Sequence, residues 1–366
     1  MESEGIVAQR TVAVFGAYGH TGRFVVDELR KRGVRRILSG RDGGALHALA
    51  AGDSDSPVRP ATLDDGASLD RALAGADAVI NCAGPFASTA GPVIDAALRA
   101  RIPYLDLAAE IEANMDTFAN YERRARDASI VILPAMAFYG GLGDLLATAA
   151  AGDWPHADEI TIAYGLDSWK PTAGTRAAGG VSRARRNGRR VVFTSGSLEY
   201  RTDSAPQTRW TFPEPLGDQD VIAEFTTADS VTIARHVAVP RIHSYITMSA
   251  LKDLRDESCP PPVPVDEDGR SAQTFLVDVV VRRRGEQRRA SARGRDIYAV
   301  SAPLVVEAAE RLMSSHAWTP GIYTAGELFD AHDFLSALSP GDFRVDFSST
   351  SSTTVRADRS KFQPVP

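Results

Sequence analysis

Three glycines near the amino terminus have the spacing of a diphosphate-binding loop. The apolar, strand-like run 11–15 is followed by Gly16, Gly19 and Gly22, and a helical pattern begins near Thr21. A strand, a glycine turn and a helix in this order direct backbone N–H groups and the positive end of the helix dipole at one point. Gly16 permits the tight turn, Gly19 lets phosphates approach, and Gly22 lets the helix pack on the strand. The pattern predicts a dinucleotide site.

The end of the second predicted strand bears on the choice of dinucleotide. Arg41 follows the strand-like run 35–39. An acidic residue at this place suits the ribose 2′-hydroxyl of NAD, whereas a guanidinium suits the 2′-phosphate of NADP and can stack on adenine. Arg41 therefore favours NADP(H). Asp42 beside it weakens this interpretation, because a carboxylate repels phosphate, and a solvated turn is the alternative role for Arg41.

Two further segments are expected at the same edge of the sheet. The small residues 83–85 follow the fourth predicted strand and leave room for a cofactor, although an ordinary strand-end turn uses the same residue types. Asp64 follows the third strand, where an acid could meet the adenine amino group or cap the next helix. The predicted cofactor-binding residues are Gly16, Tyr18, Gly19, His20, Thr21, Gly22, Arg41, Asp64, Ala83, Gly84 and Pro85.

Hydride chemistry on a nicotinamide needs one group that delivers or removes a proton. Asp106 and Glu110 follow the fifth predicted strand and could face one crevice, where paired carboxylates acquire raised pKa values; helix capping is the alternative. Tyr139 precedes two glycines, so its loop could lie over the site, or the ring could simply be buried. We predict Asp106, Glu110 and Tyr139 as catalytic candidates, with Asp144 also near this edge, and no metal ligands.

Composition restricts the class of protein. A chain of 366 residues has room for two domains. The net charge of −6 and the pI near 5.7 argue against a nucleic-acid partner. Cys82 and Cys259 are the only cysteines and lie far apart, which argues against a metal site or a disulfide framework. Neither a secretory signal nor an apolar membrane-spanning run is visible, so we expect a cytoplasmic protein with a small-molecule substrate and no membrane partner.

Strand-like and helix-like segments alternate through the first part of the chain. This alternation predicts βαβ units and a doubly wound parallel sheet, a Rossmann domain, over residues 1–150. Strands are expected at 11–15, 35–39, 57–62, 77–81, 103–107 and 129–133, and helices at 23–32, 43–51, 66–74, 91–101 and 113–127.

The pattern changes after about residue 155. Alternating segments at 159–164, 190–194, 221–225, 243–249 and 274–281 predict a largely antiparallel sheet in an α/β second domain over 151–300. Asn187-Gly188 is expected to form a two-residue hairpin turn. Helices at 302–313 and 325–338, within a segment 301–345, could pack back on the first domain, and the tail 349–366 is expected to be weakly ordered.

Three features of the second part have two interpretations each. The loop 168–176 contains Lys170 and Arg176 and could bind an anionic group or serve as a surface connection. The arginine cluster at 183–190 is expected to be a solvated edge that discourages aggregation. His236 lies in an apolar run, where a hydrogen-bonded core histidine is more common than a catalyst.

Several motifs occur together in one known family. They are Gly-Ala-Tyr-Gly-His-Thr-Gly-Arg at 16–23, Ser-Gly-Arg-Asp at 39–42, Asn-Cys-Ala-Gly-Pro-Phe at 81–86, Tyr-Leu-Asp-Leu-Ala-Ala-Glu at 104–110 and Gly-Arg-Asp-Ile-Tyr at 294–298. With these motifs the chain resembles the saccharopine dehydrogenase-like oxidoreductases, which include saccharopine reductases and trans-acting enoyl reductases. The resemblance implies an NADP(H)-binding Rossmann domain, an inserted second α/β domain that often mediates homodimerisation, and hydride transfer to or from a C=N or C=C bond.

By position, the resemblance places the diphosphate at the loop 16–22, the 2′-phosphate at Arg41 and the nicotinamide side at 83–85. The chain departs from the family at Ala109, where glycine is frequent, and at 137–144, where Gly-Phe-Asp-Ser-x-Pro is frequent. These departures imply a different substrate, and the excess of Arg over Lys suggests a bacterial source and a role in secondary metabolism. A non-catalytic NADP(H)-binding sensor or scaffold is the alternative function.

Overall fold

The structure, a computed structural model, describes residues 10–350 except 54, 316, 340 and 342. Short runs rich in Val, Ile, Leu and Ala form buried strands, because aliphatic side chains fill both faces of a covered sheet. The strands are β1 (Thr11–Phe15), β2 (Arg35–Gly40), β3 (Val58–Pro60), β4 (Ala78–Asn81), β5 (Tyr104–Asp106), β6 (Val131–Leu133), β7 (Glu159–Leu166), β8 (Arg190–Thr194), β9 (Ser197–Arg201), β10 (Gln207–Thr211), β11 (Asp218–Ile222), β12 (Ile242–Thr247), β13 (Thr274–Arg283), β14 (Glu286–Arg295), β15 (Gly321–Ile322) and β16 (Arg344–Thr350).

Helices occupy the intervals between these strands. Several begin at an Asp or Thr whose side chain accepts a hydrogen bond from the first turn, as Asp42, Asp65 and Thr172 do. The helices are α1 (His20–Lys31), α2 (Gly43–Leu49), α3 (Gly66–Leu73), α4 (Phe86–Ala100), α5 (Ile111–Ala128), α6 (Gly143–Ala151), α7 (Ala173–Arg185), α8 (Asp229–Thr232), α9 (Met248–Arg255), α10 (Ser301–Ser314), α11 (Ala325–Leu328) and α12 (Ala331–Leu338).

The first sheet is parallel and has the strand order β15-β6-β5-β4-β1-β2-β3. Strands β1 to β6 follow the Rossmann order. The chain adds β2 and β3 on one side of β1, and then β4, β5 and β6 on the other side. The crevice between the carboxyl ends of β1 and β4 is therefore the place where such a sheet binds a ligand. The Rossmann prediction is confirmed.

The second sheet is mixed and has the order β10-β11-β12-β7-β13-β14-β16, with β8 and β9 joined at β12. Among the described residues its pairs are antiparallel apart from β12 with β7. All of its strands except β16 lie between β6 and β15 in the sequence. The predicted α/β class, with a largely antiparallel second domain inserted into the Rossmann domain, is confirmed.

Helix α10 lies against α1 of the Rossmann domain. The Arg32 guanidinium contacts Glu28, Glu307 and Glu310 at 2.6–2.8 Å. The strand β15 also joins the first sheet. The chain thus returns to its first domain near its end, while the numerical domain boundaries remain a prediction. The predicted tail begins at the end of β16, and residues 351–366 lie outside the described residues.

Two local predictions in the second domain are wrong. Asn187 and Gly188 have positive φ values of 52° and 71°, but they end α7 and do not join two strands. The reason is that left-handed residues terminate helices as well as form hairpins. The hairpin between β8 and β9 turns instead at Ser195-Gly196. The expected strand 243–249 ends at Thr247, and α9 begins at Met248.

The arginine cluster is largely exposed, as expected, but two of its members also lie near carboxylates of the first domain. Arg185 pairs with Asp116 at 2.8 Å, and Arg186 lies 3.8 Å from Glu112. Both carboxylates belong to α5 of the Rossmann domain. The end of α7 is therefore bound to the first domain by charge pairs, because the fold brings an acidic helix beside a basic one.

Candidate active site

The glycine loop between β1 and α1 is compressed against the end of β4. Gly16 has φ +83° and donates its N–H to the Ser39 carbonyl at 2.8 Å. A Cβ on Gly16 would lie 2.8 Å from the Ala83 backbone nitrogen, and one on Gly22 would overlap the Gly16 carbonyl oxygen. No side chain fits at either position, so these glycines are required by close backbone approach.

The amino terminus of α1 is open toward this loop. Gly19 is the N-cap residue and supplies no side-chain hydrogen bond, so the first N–H groups of α1 lack a side-chain cap. His20 and Thr21 begin the helix, and Tyr18 packs beside Gly40, where a Cβ would lie 2.8 Å from the tyrosine Cε1. Uncapped N–H groups at the positive end of a twelve-residue helix fit an anionic diphosphate.

Arg41 is exposed at the carboxyl end of β2. The neighbouring Asp42 carboxylate accepts the Ala45 N–H at 3.0 Å and caps α2. Because Asp42 is held by its helix, the guanidinium of Arg41 is the group at this strand end that is open to a phosphate. On the next strand, Asp65 caps α3, and the Asp64 side chain remains exposed.

A buried hydrogen-bond network holds the segment 83–85. The Asn81 side chain accepts the Ala83 N–H at 3.0 Å and donates to the Tyr104 hydroxyl at 3.1 Å. Tyr104 donates to Asp106 at 2.8 Å, and the other oxygen of Asp106 accepts two backbone N–H groups, from Ala108 and Ala135. Asp106 is fully buried, and burial raises its pKa against the opposing effect of these bonds. The structure thus gives Asp106 a positioning role beneath the strand ends.

Glu110 caps the helix that follows the segment 83–85. Its two carboxylate oxygens accept the N–H groups of Phe86 at 2.7 Å and Ala87 at 3.0 Å. Burial raises the pKa of Glu110, while the two bonds lower it. Helix α4 begins at Phe86, earlier than predicted, because its cap comes from a residue distant in the sequence. Both predicted carboxylates, Asp106 and Glu110, therefore accept hydrogen bonds from backbone N–H groups.

Tyr139 lies in the turn 138–142 that follows β6, where the backbone of Tyr139 and Gly140 is not helical. Its ring is 8% exposed and contacts Tyr164 and Trp169, with ring centroids 4.8 and 5.4 Å away. Its hydroxyl is buried and has no hydrogen-bond partner in the described part of the chain. Burial holds the pKa of Tyr139 well above its ordinary value, reinforced by Tyr298 and Asp229. A buried, protonated hydroxyl without a partner is suited to a substrate atom.

Two residues around Tyr139 were missed by the sequence analysis. Asp229 is fully buried and accepts the Gly140 N–H at 3.0 Å and the Tyr164 hydroxyl at 2.6 Å, so it fixes the turn that carries Tyr139. Tyr298 accepts the Trp169 indole N–H at 3.2 Å. The sequence indicated Tyr298 only through the motif 294–298, which contains it. Nothing in the sequence indicated a role for Asp229.

Asp144 and His236 form a separate buried pair. The His236 Nε2 lies 2.7 Å from one Asp144 oxygen, and the Gly326 N–H donates to the other at 2.7 Å. Burial lowers the pKa of His236, but Asp144 outweighs it and raises the pKa above its ordinary value. This pair ties α6 to the start of α11. The expected hydrogen-bonded core histidine has its partner here.

The last part of the segment 168–176 forms the start of helix α7. Thr172 caps α7, and its backbone N–H donates to the Tyr298 hydroxyl at 3.2 Å. Arg176 donates to the carbonyls of Asp256 and Cys259 at 2.9 and 3.0 Å. Arg176 therefore holds the segment that follows α9, which contains prolines at positions 260, 261, 262 and 264. Lys170 offers its backbone carbonyl to Tyr298.

No helix in the described part of the chain is both long enough and apolar enough to cross a bilayer. The described residues likewise contain no group of three or more His, Cys, Asp or Glu side chains arranged to hold a metal ion.

Comparison with known proteins matches the first domain to a family. Residues 12–133 match the saccharopine dehydrogenase NADP binding domain. A probable mitochondrial saccharopine dehydrogenase-like oxidoreductase of Arabidopsis thaliana is 30% identical over 181 residues, which are 44% of this chain and 40% of that protein. Apo saccharopine dehydrogenase (L-Glu forming) from Saccharomyces cerevisiae has a TM-score of 0.64 and 13% identity, covering 93% of this chain and 100% of that one.

The yeast structure establishes the shared two-domain fold, and the match over 12–133 establishes a nicotinamide dinucleotide as the cofactor class. The geometry agrees, because the glycine loop, the uncapped α1 and the crevice beside β4 coincide within these residues. The Rossmann domain of this chain is therefore similar to the saccharopine dehydrogenase NADP-binding domain, which confirms the resemblance carried by its motifs.

Proposed function

We propose that the chain is an NADP(H)-dependent oxidoreductase that transfers hydride to or from a C=N or C=C bond of a small metabolite. The observation that carries the proposal is the Tyr139 hydroxyl, which is buried on the segment that follows β6 and has no partner among the described residues. That segment leaves the carboxyl edge of the same sheet that presents the glycine loop. A proton donor beside a nicotinamide is what hydride transfer requires of the protein.

The preference for NADP(H) over NAD(H) is supported by Arg41. Its guanidinium is exposed, and the carboxylate of Asp42 is bound to the Ala45 N–H. A phosphate at this strand end would meet the positive charge of Arg41. We propose that Gly16, Tyr18, Gly19, His20, Thr21 and Gly22 surround the diphosphate, with Arg41 and Asp64 at the adenosine end and Ala83, Gly84 and Pro85 beside the nicotinamide.

We propose that different residues of this chain bind the cofactor, hold the proton and exclude water. When bound, the reduced cofactor supplies the hydride. The backbone of the glycine loop binds its diphosphate, while Asp106 and Glu110 hold the segment 83–85 in place through Asn81 and the start of α4. Tyr139 holds a proton, because burial keeps its pKa high. The rings packed around it exclude water from the reacting atoms.

The alternative function is a non-catalytic NADP(H)-binding sensor or scaffold. The same glycine loop and Arg41 would serve it, but it would have no use for the unpartnered hydroxyl of Tyr139. We also propose a homodimer in the cytoplasm as the working form, and a role in bacterial secondary metabolism. Light scattering at micromolar concentration measures the first of these directly.

The cofactor assignment is tested by Arg41→Ala. Loss of the charged hydrogen bonds should weaken NADPH binding by about 1–3 kcal/mol, roughly tenfold to a hundredfold, and leave NADH binding unchanged. Isothermal titration of both cofactors measures this. Arg99→Ala is the matched control, since Arg99 is an exposed arginine paired with Asp70. Equal NADPH affinity in wild type and Arg41→Ala would remove the assignment.

The enzyme is distinguished from the sensor by turnover. Wild-type protein should oxidise NADPH when offered 2-cyclohexen-1-one or 1-pyrroline, followed by absorbance. Tyr139→Phe should lower kcat by about 100-fold, because it removes the proposed proton donor, and leave NADPH affinity unchanged. NADPH binding without oxidation by a wider set of enones and imines would favour the sensor.

A further inference from the structure

Two buried polar atoms near Tyr298 have no hydrogen-bond partner among the described residues: the Nε2 of His20 and the hydroxyl of Tyr139. The His20 ring lies edge-on to the Tyr298 ring, with centroids 5.1 Å apart. The Tyr139 ring lies 5.4 Å from the ring of Trp169, whose indole N–H donates to Tyr298. Both unpartnered atoms therefore belong to side chains that surround one Tyr298–Trp169 pair.

The location of these atoms is specific to the proposed reaction. His20 is the first residue of α1 and follows the glycine loop, while Tyr139 lies on the segment after β6. Both elements meet the carboxyl edge of the parallel sheet. A buried donor without a partner is unfavourable, and native chains retain one where a ligand satisfies it. The two atoms are thus candidates to bind the polar part of a substrate.

Tyr298 itself is already satisfied. Its hydroxyl bonds to the Trp169 indole, the Thr172 N–H and the Thr175 hydroxyl, at 2.9–3.2 Å. The Tyr298 side chain therefore lies between His20, which follows the glycine loop, and Thr172, which caps α7. The donors that remain available beside it are His20 and Tyr139.

The buried carboxylates around this region are occupied as well. Each accepts at least two hydrogen bonds from backbone N–H groups or hydroxyls, so each is engaged as an acceptor within the chain. They are Asp106, Glu110, Asp229 and Asp296. Burial lowers the pKa of His20, with Asp296 opposing and Arg23 reinforcing, so the neutral ring is favoured. Two neutral donors suit an oxygen on which negative charge develops.

We propose that His20 is a second substrate-binding residue, whose Nε2–H joins the Tyr139 hydroxyl on the carbonyl oxygen of an α,β-unsaturated carbonyl substrate. The inference rests on the proposed function and selects C=C over C=N. Hydride from NADPH forms the new C–H bond at the β-carbon. The C=C pair moves to the bond between the α-carbon and the carbonyl carbon, and the carbonyl π pair moves to oxygen. Tyr139 gives its proton to this enolate oxygen. The enol then takes a solvent proton at the α-carbon and returns the proton on oxygen to Tyr139, so the C=C bond is reduced by two electrons and NADPH is oxidised to NADP⁺.

The test uses 4-nitrophenol as a mimic of the enolate oxygen, added to the full-length protein saturated with NADP⁺. Wild type should bind it as the phenolate, seen by absorbance below the pH at which the free phenol ionises. His20→Phe and Tyr139→Phe should each weaken binding about tenfold. His20→Gln, which keeps an N–H donor, should weaken binding less. NADP⁺ affinity is measured for every variant by titration calorimetry, and 4-nitrophenol is titrated at an NADP⁺ concentration that saturates that variant, so that a change in cofactor affinity does not enter the comparison.

Equal 4-nitrophenol affinity in His20→Phe and wild type would overturn the inference, as would failure of NADP⁺-bound wild type to bind the phenolate. If His20→Phe does not fold, the wild type decides by itself: in ¹⁵N-histidine spectra assigned with His20→Gln, 4-nitrophenol must shift the His20 resonance, and an unmoved resonance refutes the proposal. Wild type that binds no NADP(H) at all is a different result, and it removes the proposed function.

Discussion

The glycine loop and the aromatic cluster around Tyr139 are built in opposite ways. The loop 16–22 is a contiguous stretch whose geometry follows from the spacing of its glycines. The cluster depends on distant contacts: Asp229 holds Gly140 across 89 positions, and Tyr298 holds Trp169 across 129. The segment 137–144, which departs from the family pattern, lies in the second region. Under the proposed function, cofactor binding would be locally encoded, whereas substrate choice would be set by tertiary contacts.

The largest expected effect is that of Gly22→Ala. The new methyl group would overlap the backbone oxygens of Gly16 and Ala17, which cannot move without deforming the loop. We expect NADPH affinity to fall more than tenfold and the free energy of unfolding to fall by about 3 kcal/mol. Fluorescence titration and urea denaturation measure these two quantities.

The matched control for that substitution is Gly179→Ala in α7, where a Cβ would meet nothing within 4 Å. It should leave NADPH binding intact and raise stability by about 0.5–1 kcal/mol, because alanine favours a helix over glycine. Normal NADPH binding by Gly22→Ala would show that the loop does not depend on close backbone approach.

An intermediate effect is expected from the same substitution in the two regions. Asp106→Asn and Asp229→Asn each replace a buried acceptor of backbone N–H and tyrosine hydroxyl bonds, and each should reduce stability by about 1–2 kcal/mol. Only Asp106→Asn should weaken NADPH binding, because its network holds the segment 83–85. Only Asp229→Asn should weaken 4-nitrophenol binding. A loss of both affinities in either variant would mean that the two regions are not separable.

The smallest effect concerns pH and the pair Asp144–His236. Asp144 raises the pKa of His236 above its ordinary value of 6.5 despite burial. The protonated histidine therefore adds stability that is fully present below pH 6.5 and is lost as pH rises through the folded-state pKa. Urea denaturation of wild type should show this decline above pH 6.5, and His236→Gln should show less of it. Parallel pH profiles for the two proteins would contradict the pairing.

Much of the Rossmann domain was predictable because its signals are local. Buried strands such as β4 and β6 appear in the sequence as short apolar runs between amphipathic stretches. The glycines at 16–22 indicate the turn between β1 and α1. Strand β14 was not predicted, because four of its ten residues are arginines and its conformation depends on pairing with β13. Asn187-Gly188 was misplaced because positive φ serves helix ends and hairpins alike.

The carboxylates illustrate the limit at the site itself. The sequence placed Asp106 and Glu110 at the correct edge of the sheet, but it left open whether they face a substrate or cap a helix. Their partners Ala135 and Phe86 lie on other elements, so only the folded chain decides this.

The sequence by itself determined the parallel sheet, the cofactor class and the place of the glycine loop. These follow from residue types over a few neighbouring positions, where backbone sterics and side-chain periodicity act directly. Only the folded chain shows that Asp229 fixes the turn of Tyr139, and that His20 Nε2 and the Tyr139 hydroxyl have no partner within the described part of the chain. A buried polar atom is satisfied or not by groups distant in the chain, and only packing brings those groups together.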